Sequence, residues 1–431
     1  MIRRLLLRTE IDDINFYRGA LVLLPLLFIY TLIVIRFSTN TLQGDEGGYL
    51  LYATRIVTGK YFSNPADVHL WWGIGYPLIL APFVALHIPL IFAKILNALF
   101  LYGAILFLFH TLKIYIRPII ALAIAFFGGL YLPFLNELPL IFSDTLTFFL
   151  VAGLIYYFCR LLKHDPFSPK DLLLAAFFMA YLALTKVFYG YMIPVCLVLS
   201  GAFYLWYRNK KFRIMALMCL LSLIFCVPYL IGTFMVTGNV FYWGTSGGMS
   251  LYWMSTPYAN EFGDWFSYNS VMANPQLNKN HALDFQKITS LSEPAMDAAF
   301  KNLAIKNIIH NPKKYFINWL ANIGRLIFSY PYSYTQQKIT TFYYLVPNAI
   351  LFTLFLFSLV PTIFRWNQIP CEIKTLLFFA ILAFAGTSLL SAYERIFTAL
   401  VPFLMVWMAF IYFKIIRIHL VNLEIPNECS K

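Results

Sequence analysis

An all-helical bundle crossing a membrane is the fold this sequence predicts, and three observations predict it. Hydrophobic residues make up 61% of the 431-residue chain and charged residues only 12%. Mean hydropathy is +0.71, which places the chain among polytopic membrane proteins. The apolar runs are long and continuous rather than alternating, and of the two structures that satisfy the backbone in lipid this selects the helix bundle over the closed barrel.

The elements follow in order. A first span is expected over 19–37, starting from a cytoplasmic N-terminus, with an outward loop over 38–76. Further spans are expected at 93–112, 118–135, 140–160, 171–187, 189–207 and 214–236. A long outward segment fills 237–339, and spans at 342–364, 374–391 and 396–413 return the C-terminus to the cytoplasm. Pro77 can open one more helix, about 78–90, that lies along or dips into the membrane, so the bundle has about 10 or 11 helices. In domain terms this is an N-terminal transmembrane module (1–236), a cover (237–339), and a C-terminal transmembrane module with its tail (340–431). Within the first loop, Asp45 to Thr58 reads as a short interfacial helix ended by Gly59, with Tyr49, Ala53 and Ile56 at helical spacing. The cover turns helical in pattern from Glu293 to Phe328, interrupted at Asn311-Pro312.

The formal charge of +13 does not imply nucleic acid, because its distribution follows helix ends. Arg3, Arg4, Arg8, Arg18, Lys113, Arg117, Arg160, Lys163 and Lys170 fall in segments expected to be cytoplasmic. So do Arg208, Lys210, Lys211, Arg213, Arg365, Lys374, Lys414, Arg417 and Lys431. The six cysteines (Cys159, Cys196, Cys219, Cys226, Cys371 and Cys429) fall in spans or on that same side, so no disulfide framework is expected. The first apolar run ends at Arg36 without a small-residue cleavage site, which reads as an uncut span. No phosphate-binding glycine loop occurs, which argues against ATP-driven transport by this chain alone.

Two adjacent carboxylates, Asp45 and Glu46 in Gly44-Asp45-Glu46-Gly47-Gly48-Tyr49, stand just outside the first span. A hydroxyl is too weakly acidic to attack a sugar's anomeric carbon unaided, and a positioned carboxylate is the expected base. Helix capping is the alternative use of such acids. Asp144, after Ser143 at the start of the fourth span, reads on its own as a cap. Nearby Glu137 falls in a turn, where a solvated role is expected. Arg395 stands at the outward mouth of the last two spans, where the charge rule disfavours a cation. Its guanidinium suits two oxygens of a lipid phosphate, while a salt bridge to Glu394 or snorkelling explains it equally well. Lys94 and Lys186 lie at outward helix ends, where they add charge to a phosphate or snorkel. His69, Trp72 and the other loop tryptophans can stack on a sugar or anchor at the interface.

Taken together, these residues resemble the GT-C glycosyltransferases that use polyprenyl-phosphate sugars. Closest among those are the bacterial relatives of dolichyl-phosphate-mannose protein mannosyltransferases and of lipid A aminoarabinose transferase. The resemblance rests on Asp45-Glu46 followed by Tyr49 and Ala53, on Gly75-Tyr76-Pro77 and Pro82 before the second span, and on Ser143-Asp144. It continues through Leu184-Thr185-Lys186, Gly247-Gly248 with Tyr252, and Arg395 with Pro402. Two departures stand out: Lys186 replaces the commoner Arg, and the late motif reads Glu394-Arg395-Ile396 without its usual Tyr.

The resemblance implies a polyprenyl-phosphate-linked sugar as donor and a hydroxyl on a glycolipid, polysaccharide or protein as acceptor. Transfer would occur with inversion on the outer face of a bacterial inner membrane. It gives Asp45, Glu46 and Asp144 to catalysis, with Asp144 orienting the acceptor or a metal. It gives Arg395, Lys94 and Lys186 to the donor phosphate, and His69, Trp72 and Tyr252 to sugar or acceptor. A divalent metal, Mg or Mn, is left open. A transporter or flippase of lipid-linked sugars is the competing class. It predicts ionisable groups at mid-membrane, whereas here they gather at helix ends and in loops.

Overall fold

In the computed structural model, which describes residues 16–65, 67–163, 166–334 and 339–416, every regular element is a helix. Arg3, Arg4, Arg8, Arg417, Lys431 and Cys429 lie outside the described residues, as do both termini. The first half runs α1 (Phe16–Phe37), α2 (Glu46–Val57), α3 (Gly75–Ala85), α4 (Leu90–Lys113), α5 (Pro118–Gly129), α6 (Leu132–Leu135), α7 (Asp144–Lys163), α8 (Pro169–Thr185), α9 (Phe188–Tyr207) and α10 (Lys210–Thr237). The second half runs α11 (Gly247–Met254), α12 (Tyr268–Ala273), α13 (Pro275–Ile288), α14 (Glu293–His310), α15 (Pro312–Phe328), α16 (Phe342–Arg365), α17 (Cys371–Ser388), α18 (Glu394–Thr398) and α19 (Val401–Phe410).

Among the described residues, eight helices are long and apolar enough to cross a membrane: α1, α4, α7, α9, α10, the α16 segment, α17 and the closing run Glu394–Ile415. The chain is therefore an all-helical polytopic membrane protein. The five described cysteines are free. Helix starts follow simple chemistry. Pro occupies the first turn of α5, α8, α13, α14 and α15, where its missing N–H has no intrahelical partner to lose. The Asn274 side chain accepts from the N–H groups of Gln276 and Leu277.

The segment expected as one span over 118–135 is broken instead. Helix α5 has 12 residues, about 18 Å at the α-helical rise and short of a roughly 30 Å hydrocarbon core. Tyr30 donates to the Gly129 carbonyl at 2.7 Å, and a Cβ on Gly129 would meet that hydroxyl at 2.6 Å. Pro133 then opens a separate turn. The helix ends where α1 presses against its backbone.

Basic residues gather at one end of the bundle. There Lys163 donates to the Ile114 carbonyl at 2.7 Å, Arg160 meets Asp171 at 3.2 Å and Lys211 meets Glu372 at 3.1 Å. The opposite end carries α2, α3 and the helices α11 to α15. That upper segment has a small core of its own, built on Tyr252, Trp253, Phe285 and Phe300.

Helix α15 joins the two layers through an inverted pattern. Asn318, Asn322 and Arg325, spaced by four and three residues on one face, are all fully buried. They satisfy loop carbonyls that the apolar layers cannot. Asn318 donates to Met254 and Thr256 (both 3.0 Å), and Asn322 to Ser388 and Leu390 (both 2.8 Å). Arg325 donates to the carbonyls of Phe262, Gly263, Pro331 and Ala392. This polar seam holds the loop between α17 and α18, which leads into Arg395 in the first turn of α18.

Candidate active site

At the end of the bundle away from its basic pole, the start of α2, the start of α7, the end of α8 and the start of α18 converge. Two glycines let α2 begin there. Gly44 turns with a positive φ of 52° beside Phe142, and Gly48 lies so close under the Trp72 ring that a Cβ would sit 2.1 Å from it.

Asp45 is the N-cap residue of α2, yet its side chain makes no cap bond. It reaches Arg395 instead, Nη2 to Oδ2 at 2.6 Å. Arg395 faces a second carboxylate, Asp144, at 3.7 Å from Nη1 to Oδ2. Lys186, the C-cap residue of α8, approaches the same carboxylate at 3.0 Å from Nζ to Oδ1. Asp144 is 1% exposed, and its Oδ2 has no hydrogen-bond partner. Arg395 also lies over the Phe142 ring, 5.1 Å from its centroid. Its salt-bridge partner is thus Asp45 and not Glu394, which accepts from Tyr332 at 3.0 Å. A hydrogen bond of 2.8 Å between Tyr49 and Ser143 ties α2 to the start of α7, so the two acids are held in register. Burial, together with the nearby Asp45 and Asp144 charges, keeps the Tyr49 hydroxyl well above its ordinary pKa.

The adjacent pair Asp45-Glu46 divides its labour. Glu46 is fully buried and accepts from the N–H of Gln43 at 2.7 Å and of Ile141 at 2.8 Å. Lys94 stands 3.2 Å from it and also donates to the Thr39 carbonyl at 3.0 Å. Each neutralises the other, and breaking such a buried pair costs about 3–5 kcal/mol. Neither lines the cavity below. Both clamp the loop that presents Asp45, although Glu46 is expected in catalysis and Lys94 on a phosphate.

Asp45, Lys186 and Arg395 line a cavity of about 240 Å³, together with Trp71, Trp72, Trp265 and Tyr393. Trp72, expected as a sugar contact, is among the residues that line this cavity. His69 is not: its Nδ1 meets Glu293 at 2.9 Å and its Nε2 meets Asp67 at 2.8 Å, joining the first loop to α14. Tyr252 is not either. It is buried in the upper core, bonded to His281 at 2.8 Å and Asp284 at 3.1 Å. Gly248, quoted in the same motif, packs against α14, where a Cβ would sit 2.0 Å from the Asp297 carbonyl oxygen.

Glu137 corrects another expectation. The turn that carries it is tucked under α16, leaving it 5% exposed, 3.2 Å from the Tyr344 hydroxyl and 3.3 Å from the Asn136 amide. Burial first, and the Asp144 charge second, push its pKa up to about 7. The neutral form is therefore the one the fold favours. The stability it contributes is complete below its ordinary value of 4.5 and is lost as pH rises through about 7. Glu137→Gln is expected to flatten the fall in melting temperature between about pH 4.5 and 7. Melting curves across that range check this, and an unchanged slope in the variant would refute it.

Several groups here had weak sequence signals. Trp265 and Tyr393 lie in loops without periodicity. The seam of Asn318, Asn322 and Arg325 was detectable as polar residues on one helical face.

A divalent ion does not fit this donor set. The two carboxylates of the cavity region, Asp45 and Asp144, are already bridged by Arg395, with Lys186 on the second. Among the described residues no group of three or more acids, histidines or cysteines converges.

The fold and the cavity define a polytopic helical membrane protein with two carboxylates and two cations paired around a pocket at one end of its bundle. No protein-family model matches the chain, and no curated protein matches it by sequence. Among solved structures it is similar to the archaeal oligosaccharyltransferase AglB from Archaeoglobus fulgidus, in complex with an inhibitory peptide and a dolichol-phosphate. Identity is 14% and the TM-score 0.48, with 90% of this chain and 50% of that chain covered, so this chain spans about half the length of that enzyme. It is also similar to ArnT from Cupriavidus metallidurans bound to undecaprenyl phosphate. Here identity is 13% and the TM-score 0.37, with 91% of this chain and 76% of that one covered.

Proposed function

We propose that this chain is a membrane glycosyltransferase that moves a sugar from a polyprenyl-phosphate donor to an acceptor hydroxyl. The observation that carries this reading is the linked cluster of Asp45, Arg395, Asp144 and Lys186 drawn from four separate elements, of which Asp45, Lys186 and Arg395 line one pocket. Arg395 pairs with Asp45 at 2.6 Å. A donor phosphate offers the guanidinium two oxygens in a bidentate geometry and competes for it. Lys186 supplies the second cation. Once Arg395 turns to the phosphate, Asp45 is free to accept the proton of the acceptor hydroxyl. That oxygen attacks the anomeric carbon from the face opposite the phosphate, the bond from carbon to phosphate oxygen breaks, and the configuration inverts. Polyprenyl phosphate leaves with its charge held by Arg395 and Lys186. Asp144, pinned behind both cations, sets their positions.

The basic pole of the bundle supports a cytoplasmic placement for that end and so an outward-facing pocket; the proposed setting is the outer face of a bacterial inner membrane. The segment 237–339 acts as the cover. An isoprenoid chain finds an apolar berth of about 660 Å³ between α5 and α16. Its walls include Met405 and Met408, from the same closing run that carries Arg395.

The test uses the full chain in liposomes with a panel of polyprenyl-phosphate sugars and a membrane extract as acceptor. Acceptor-dependent release of polyprenyl phosphate from at least one donor is expected. Movement of the intact lipid-linked sugar across the bilayer without release would replace this reading with a flippase.

A further inference from the structure

Helix α15 buries its polar side and leaves an apolar one outside. Opposite the seam of Asn318, Asn322 and Arg325, Phe316, Ile317 and Leu320 are exposed at 55%, 44% and 50%. A helix facing water shows the reverse pattern, so this side meets something apolar. Its height in the bundle says what that is. Tyr315 donates to the Leu389 carbonyl and Trp319 to the Ser388 hydroxyl, both at 3.0 Å, and Ser388 is the last residue of the membrane-crossing helix α17. The far end of α15 reaches deeper. Leu326 and Ile327 belong to the bundle core, and Phe328 packs on Phe352 of α16 with ring centroids 6.4 Å apart. Phe316, Ile317 and Leu320 share the turns of Tyr315 and Trp319, so they lie where α17 leaves the membrane.

Lysines stand above this edge. Lys313 precedes Phe316, Ile317 and Leu320 by three, four and seven residues, which puts it on the same helical face, and it is exposed. It lies about 4.5 Å from Phe316 along the axis, within a headgroup layer roughly 5–8 Å deep. Across the corner at Asn311, Lys306 is exposed beside Ile305 and Ile309, themselves 41% and 70% exposed. The charge rule disfavours cations at this end of the bundle, and the carboxylates of the cover do not offset them, because all five are turned inward. Glu261 is held by His281, Asp264 by Ser333, Asp284 by Tyr252, Glu293 by Thr245 and Asp297 by the Gly248 N–H. An apolar stripe topped by cations is complementary to a bilayer with negative headgroups.

We propose that the corner between α14 and α15 is seated in the leaflet on the pocket side and binds anionic phospholipid there. Phe316, Ile317 and Leu320 enter the boundary with the acyl chains, and Lys306 and Lys313 meet the headgroup phosphates. The corner stands outside the pocket lining, so this lipid site is separate from the donor site and does not depend on the glycosyl-transfer reading.

Photocrosslinking to the full chain in nanodiscs tests this. The probes are phosphatidylglycerol and phosphatidylcholine carrying the same photoreactive group near the glycerol, and labelled peptides are mapped by mass spectrometry. Over residues 305–320 the anionic lipid is expected to label roughly 5- to 30-fold more than the zwitterionic one, the range that two lysines at a negative surface supply. Lys306→Gln combined with Lys313→Gln is expected to bring that ratio to within about twofold of unity. Labelling by phosphatidylcholine should persist, because the apolar stripe is still in place. Lys279→Gln combined with Lys287→Gln, the same charge change at exposed positions of α13, is expected to leave the ratio as it is. Equal labelling by the two lipids in the native protein, a ratio untouched by the first pair of substitutions, or one lost equally with the second pair would overturn the site. Absence of labelling by either lipid would overturn it as well, by placing the corner in water, where its lysines face a soluble polyanion.

Discussion

Asp45→Asn is expected to cut the release of polyprenyl phosphate by about 10²–10⁴-fold, the range that a positioned general base contributes, with little change in melting temperature. The substitution keeps the shape of the side chain and removes its ability to take a proton. Asp45 is a suitable place for a clean test because its side chain is 27% exposed and makes no helix cap bond, so the fold does not lean on it. Arg395 keeps Asp144 and the Phe142 ring as neighbours in the variant. The loss should fall on kcat, with donor affinity preserved or raised, because the guanidinium no longer has to leave a carboxylate before it meets the phosphate. Release within threefold of native would remove Asp45 as the base.

Arg325→Met is expected to be the most damaging single substitution for stability, at about 3–5 kcal/mol and a melting temperature lower by on the order of 10 °C. The side chain is fully buried, and its three nitrogens serve four backbone carbonyls and the Asn322 side chain, the last at 2.7 Å. Met fills similar space but leaves those oxygens without donors inside the protein. Arg325→Lys should also fail to restore stability, since one ammonium cannot fork to carbonyls on three separate loops. Donor binding should weaken in both variants, because the carbonyl of Ala392 lies in the loop that leads directly into Arg395 at the start of α18. Thermal unfolding followed in detergent decides this. Melting within error of the native protein would show that the seam on α15 is not what holds the upper layer.

Local pattern accounts for much of what the sequence revealed about the site. Asp45, Asp144, Lys186 and Arg395 each stood out as a charge at a helix end in an apolar chain, and the fold links all four, with Asp45, Lys186 and Arg395 on the pocket and Asp144 behind them. What the sequence could not separate was Asp45 from Glu46. One step along α2 turns a side chain by about 100°, and that step divides a group on the pocket from one sealed against Lys94. His69 and Tyr252 show the same limit. Both have the chemistry of sugar contacts, but carboxylates on α13 and α14 claim their polar atoms.

The sequence alone determined that the chain spans a membrane as helices, roughly where the spans lie, and which few ionisable residues are out of place in lipid. Those properties depend on hydropathy and charge summed over neighbouring residues, so they survive without knowledge of the fold. Only the tertiary structure decided that α5 stops against Tyr30, that Glu137 is buried and that Arg325 carries the upper loops. Each depends on burial and on hydrogen-bond partners brought from distant parts of the chain. The energy of a polar group is set by those neighbours in space and not by its neighbours in sequence.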